Sequence, residues 1–167
     1  MLDKPTSSTS TIARAATAEF AIEPLESAYL EATDLVRKHW QEVAPYRDLC
    51  VLNPDLPTYR AMVSKLCVIT ARVSGGLVGY IMFVIAPHLH YRDVLMATDD
   101  LHFLDPAYRK TGIGLKMFVF AEQVMRDKGV QIMTLRCKAD PRLNHGAIFE
   151  HLGYDKQDIV YTKRLDR

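Results

Sequence analysis

The chain has 167 residues, 49% hydrophobic and 25% charged, which fits one globular domain able to bury roughly 70% of its unfolded surface without a disulfide or a metal. Its 21 basic and 20 acidic side chains leave a formal charge of +1 with no long run of either sign. That balance argues against a broad nucleic-acid footprint and favours a small-molecule partner.

Residues 1–17, rich in Ser, Thr and Ala, lack the apolar core of a secretory signal, and Asp3 argues against a transit peptide. A flexible arm is expected there, followed by one domain over 18–167. The longest apolar stretch, Leu77 to Ala86, is about half a membrane span, so no membrane partner is expected. Cys50, Cys67 and Cys137 lack C-x-x-C spacing and are expected to be reduced and buried in a cytoplasmic protein.

Glu19 to Glu23 alternates as a short strand, and Pro24 suits the first turn of a following helix. Leu25, Ala28, Ala32, Leu35, Val36 and Val43 then recur at three- and four-residue intervals, predicting a helix to about Val43 with one face on a core. A Pro-bracketed loop and a short helix around Tyr59 come next. Two β-rich runs around Gly75 and Gly76 signal a hairpin.

"VLMATDDLHFL" reads as the next strand, and "DPAYRKTGIG" as a turn. "GLKMFVFAEQVMRDKG" is a helix with Leu115, Phe118, Ala121 and Met125 on one face, and "VQIMTLRC" a strand. A strand, helix, strand unit of this length makes a parallel crossover, so an antiparallel first half meets a parallel second half. "NHGAIFEHLGY" gives a last helix and "DIVYTKRL" a closing strand.

The turn lacks the G-x-x-x-x-G-K-[ST] of a phosphate-binding loop. A dinucleotide fingerprint fails at Met117, where its third glycine belongs. "KTG" also occurs in serine β-lactamases, but no S-x-x-K accompanies it. The remaining pattern is R-x-x-G-x-G, Arg109 to Gly114, opening a helix. Its glycines let backbone N–H groups converge, and the helix dipole favours an anion such as a pyrophosphate. Arg109 and Lys110 are expected to add charge.

"LHFLDPAYRKTGIGLKM" resembles the acyl-CoA-binding motif of the GCN5-related N-acetyltransferases, the GNAT superfamily. The order of elements from Glu19 to Leu165 and the ending "IFEHLGYD" resemble the whole family fold. "HWQEVA", "PHLHY" and "HLGYDKQDIVYTKRL" further resemble GNAT-like proteins of tailed bacteriophages, which implies a host cytoplasm. The resemblance implies an α/β fold whose mixed, mostly antiparallel sheet has a parallel, splayed central strand pair. It also implies acetyl-CoA as the acyl donor and direct transfer to a primary amine on a small molecule or peptide. A non-catalytic CoA-binding module or an interaction scaffold stays open beside it, as does a homodimer.

By the same resemblance, backbone groups of Phe103 and Leu104 would bind the pantetheine arm. Amides of Lys110, Thr111, Gly112, Ile113 and Gly114 would hold the pyrophosphate, with Arg109 at the family's Arg/Gln position. Strand alternation groups Asp100 with Thr98 and His102 on the open face. Asp100 is the first candidate for general base and His102 the second. Phe149 stands where the family's tyrosine acid is expected, leaving Tyr161 or a water to serve. Asn144 caps the last helix or contacts pantetheine, capping being the preferred reading. His39, Glu42, His90 and Tyr91 are candidates for the acceptor pocket, and no H-x-x-x-H spacing supports a metal.

Overall fold

A computed structural model describes residues 17–166. The arm expected over 1–17 lies outside them but for Thr17. Strand β1 (Ala18–Ile22) leads to helix α1 (Leu25–Val43) and helix α2 (Leu56–Ala61). Strands β2 (Leu66–Val73), β3 (Gly76–His88) and β4 (Tyr91–Leu104) come next, then helix α3 (Ile113–Asp127), strand β5 (Ile132–Thr134) and helix α4 (Gly146–His151). The five strands form one sheet in chain order, antiparallel from β1 to β4 and parallel between β4 and β5.

Helices cover both faces. Met117, Phe118, Ala121 and Met125 of α3 pack with Ile69, Ile81, Phe83 and Ala97 of the sheet and Phe149 of α4. On the other face, Ala28, Ala32 and Leu35 of α1 meet Val68, Tyr80, Met82 and Phe103. The 3.6-residue period of α1 and α3 thus delivers two apolar layers, one per sheet face.

Local chemistry sets the boundaries. Pro24 stands at the N-cap, one place before the first helical turn expected for it, and its carbonyl accepts the Ala28 N–H. The β2–β3 hairpin turns on left-handed Ser74 and Gly75 (φ 50° and 81°), the two positive φ values that a tight turn of matching twist requires. The β3–β4 strands run further than expected, to His88 and from Tyr91, so only Leu89 and His90 form that turn.

Three expectations are corrected. "DIVYTKRL" joins no sheet: residues 155–166 carry no strand, and β5 is the last strand. Its alternating pattern is real, but no strand edge pairs with it, and Arg164 ties the segment instead to Asp48 at 2.7 Å. The run from Val130 to Cys137 pairs over three residues only. Cys67 is buried, but Cys50 and Cys137 are exposed; all three are free.

Gly79 lies opposite Leu104 at the end of β4. A Cβ there would stand 2.9 Å from the Phe103 carbonyl oxygen and 3.0 Å from Leu104 Cδ1. Gly79→Ala is expected to cost about 1–3 kcal/mol through forced backbone displacement. Thermal melting is expected to fall by roughly 3 to 10 °C.

Candidate active site

The parallel ladder between β4 and β5 stops at Thr98 opposite Thr134. Strand β4 continues from Asp99 to Leu104 with no parallel partner beside it among the described residues. Beyond β5 the chain is held by a side chain instead: Asp99 Oδ1 accepts from the Arg136 N–H at 3.1 Å and from Arg136 Nε at 3.3 Å. A second guanidinium nitrogen of Arg136 donates to the Asp99 carbonyl. The seam is therefore open beyond Asp99.

At the same place β4 carries a bulge. Phe83 faces Asp99 but Met82 faces Leu101, which leaves Asp100 as the extra residue. One additional residue shifts the alternation, so the face assignment expected from strict period two is overturned. Asp99 lies on the α3 side with His102, whose Nδ1 is 3.0 Å from Asp99 Oδ2. Asp100 lies on the α1 and α2 side, where Tyr59 donates its hydroxyl to Oδ2 at 2.6 Å. Burial, together with the Asp100 hydrogen bond and charge, raises the Tyr59 pKa.

The glycine turn connects β4 to α3. Lys110 and Gly112 both take left-handed φ, 64° and 83°. Among the described residues no group accepts from the N–H of Lys110, Thr111, Gly112, Ile113 or Gly114, whereas the Lys116 N–H is already bonded to the Gly112 carbonyl. Consecutive free amides in a turn of this conformation, at the N-terminus of a 15-residue helix, form a concavity suited to an anion.

Arg109 is committed elsewhere than expected. Its Nε donates to the Leu104 carbonyl at 3.0 Å, its NH2 reaches Glu42 Oε2 at 2.8 Å, and its guanidinium lies 5.3 Å from the Phe103 ring centroid. Arg109 and Glu42 thus clamp the turn to α1. Lys38 adds a 2.5 Å bond to Asp105. Phe103 is buried against Leu35 and Tyr80, and one Leu104 backbone group is already engaged. Glu42, expected in an acceptor pocket, acts here as the partner of Arg109.

His39 stacks on Phe103 with ring centroids 5.0 Å apart and meets the Tyr80 hydroxyl at 2.9 Å. Burial, then the charges of His102, Lys138 and Arg109, push its pKa down to about 4. His145, just before α4, lies 5.5 Å from His102 ring to ring, and burial lowers its pKa as well. Phe149 packs edge-on against Phe118 at 5.1 Å and offers no hydroxyl. The Asn144 Oδ1 accepts the Gly146 N–H at 2.6 Å, but the N-cap of α4 is His145, so Asn144 stands one place before the cap expected for it.

His90 lines an open apolar cleft of about 410 Å³ with Val84, Ala86, Met96 and Thr98, on the Asp100 side of the sheet. Tyr91 stacks on His88 at the hairpin tip, 4.8 Å between centroids. Tyr161 is 89% exposed on the segment that joins no strand, and the structure does not bring it to His102 or Asp100. Arg136 and His145 escaped the sequence reading, and strict alternation set Asp99 with Leu101 and Phe103, away from the His102 it meets. The adjacent Asp99 and Asp100 were the one available signal, since two acids interrupting an apolar strand mark a bulge. Among the described residues no three metal-ligating side chains come together, and no helix is long and apolar enough to cross a membrane.

A mixed sheet that parts after a parallel pair, with an amide-lined turn opening a helix at the gap, defines the GNAT fold. The chain belongs to the acetyltransferase (GNAT) family, whose family model matches residues 26–154. Its class of chemistry is acyl transfer. Among solved structures, ribosomal-protein-alanine N-acetyltransferase from Brucella melitensis biovar Abortus 2308 is 17% identical with a TM-score of 0.66, over 89% of this chain and 99% of that one. An aminoglycoside acetyltransferase, HMB0005, from an uncultured soil metagenomic sample is 12% identical with a TM-score of 0.69, over 90% and 99%. AAC(6')-Iy, solved with a bisubstrate analogue of CoA and acetylneamine, is 15% identical with a TM-score of 0.60, over 90% and 100%. At these identities the likeness is one of fold. No curated protein sequence matches the chain.

His39 supplies a pH test. Its folded pKa of about 4 lies below the ordinary histidine value of 6.5, so between those two values the unfolded chain binds a proton that the folded chain refuses. Stability is therefore expected to fall as pH drops from 6.5 toward 4. In His39→Gln that part of the loss is expected to vanish, read as a smaller decline in melting temperature across the same window.

Proposed function

We propose that the protein transfers an acetyl group from acetyl-CoA to a primary amine by direct attack in a ternary complex. The observation that supports this most is the row of free amides from Lys110 to Gly114 beside a β4 edge without a partner strand. Acetyl-CoA supplies an activated thioester and an anionic pyrophosphate. The turn amides suit the pyrophosphate, and the vacant edge of β4 suits the amides of the pantetheine arm as an added strand would.

We place the acceptor at the open edge of β4, between the face that carries Asp100 and the face that carries His102. There the cleft from His90 to Thr98 leads toward exposed Asp100, and a carboxylate in that position favours a cationic amine. A small-molecule amine of the aminoglycoside kind, a polyamine and a peptide amine all meet that demand. A cytoplasmic location and a bacteriophage-encoded origin rest on the sequence reading alone. A homodimer is compatible with Ile159, Val160 and Leu165 being exposed on one stretch. The second reading, a CoA-binding module without turnover, is favoured by one observation: buried Phe149 in place of a phenol.

Acetyl-CoA at about 100 times its dissociation constant is expected to raise the melting temperature by roughly 5 to 10 °C. Gly112→Val, which puts a β-branched residue at φ 83°, is expected to abolish that rise. Thiol release with polyamines, aminoglycosides and peptide amines then separates the two readings: a melting shift without release favours the module. No shift in the unaltered protein removes the coenzyme assignment.

A further inference from the structure

Asp99 and His102 form a pair that the sequence alternation placed on opposite faces and the bulge at Asp100 brings together. We infer that Asp99 is a positioning residue that fixes His102 with its proton on Nδ1, leaving Nε2 as the proton acceptor for the attacking amine. This rests on the acetyltransferase reading and deepens it.

The available donors decide the tautomer. Asp99 is 2% exposed, and its carboxylate receives Arg136 N–H groups on Oδ1 and the His102 ring on Oδ2. An ionised carboxylate only accepts, so His102 Nδ1 must be the donor. Nε2 then carries the lone pair. It has no partner among the described residues, and it is not sealed from solvent, since the single buried and unbonded side-chain polar atom among them is Glu122 Oε1. Phe118 and Phe149 pack edge-on to the ring and hold its plane.

The charged and titratable groups around the imidazole are Asp99 on β4, Arg136 after β5, His145 before α4 and His39 on α1. Only Asp99 touches its nitrogen atoms. In the step proposed, the amine nitrogen bonds to the acyl carbon as the carbon–sulfur bond breaks and its electron pair stays on sulfur. The proton lost by nitrogen goes to His102 Nε2 and from there to the departing thiolate, so the products are the amide and the free thiol. Asp99 stays ionised throughout and balances the transient imidazolium.

The test is Asp99→Asn. Arg136 requires an acceptor at the Oδ1 position, so the new amide turns its oxygen to Arg136 and its NH2 to His102 Nδ1. That forces the ring proton onto Nε2. In spectra of 15N-histidine-labelled protein, assigned with His102→Gln, the His102 proton is expected on Nδ1 in the unaltered chain and on Nε2 in Asp99→Asn. Turnover is expected to fall by about 100-fold or more in both variants, with the acetyl-CoA melting shift retained. A proton on Nε2 in the unaltered protein, or undiminished turnover in Asp99→Asn, overturns the inference. Loss of the melting shift in the unaltered protein instead removes the acetyltransferase reading beneath it, which keeps the two failures apart.

Discussion

One buried carboxylate decides how this sheet ends. In an uninterrupted parallel ladder the Arg136 N–H would bond to a β4 backbone carbonyl. It bonds instead to Asp99 Oδ1 at 3.1 Å. A side-chain acceptor reaches further than a peptide carbonyl, so the chain after β5 stands off from β4 and the seam stays parted. Burying an ion is tolerable only where it is fully partnered. Arg136 and His102 meet that condition, which binds the opening of the seam to the placement of the imidazole.

The turn beside the opening is held from behind. Left-handed Lys110 carries strain of the order of 1–3 kcal/mol that its surroundings must offset. Arg109 supplies much of that support through Leu104, Phe103 and Glu42, with Lys38 and Asp105 in parallel. Helix α1 thus does more than cover an apolar face. It fixes the height at which the amides of Lys110 to Gly114 stand over the gap, and it does so without tying those amides up in internal bonds. Partly shielded ion pairs suit this task because their geometry is directional, whatever their modest net energy.

Periodicity carried most of the fold. The apolar repeats of α1 and α3 and the glycine turn before α3 are local features that the structure keeps, with Met117 rather than Leu115 on the buried face of α3. The hairpin expected around Gly75 and Gly76 turns one residue earlier, on Ser74 and Gly75. The site was legible only in its backbone part. Whether Asp99 or Asp100 faces the seam depends on a bulge, and a one-residue slip reverses every face after it. Arg109 reads as a phosphate ligand until its distant partner Glu42 is known, 67 residues earlier in the chain. "DIVYTKRL" has the alternation of a strand, but alternation specifies a face and not the existence of a free edge to pair with.

The bulge also gives β4 two working faces. Without the extra residue, Asp100 and His102 would share a side and Asp99 would stand with Phe103 among the α1 contacts. With it, Asp100 and the cleft reaching His90 lie on the α1 and α2 side, and Asp99 with His102 lies toward α3 and α4. An acceptor attracted by Asp100 and a thioester lying along the parted seam then approach the same strand from different directions. Direct transfer needs two ligands to meet without one displacing the other. A strand whose faces are offset by a single residue, at the point where its neighbour departs, satisfies that geometric demand.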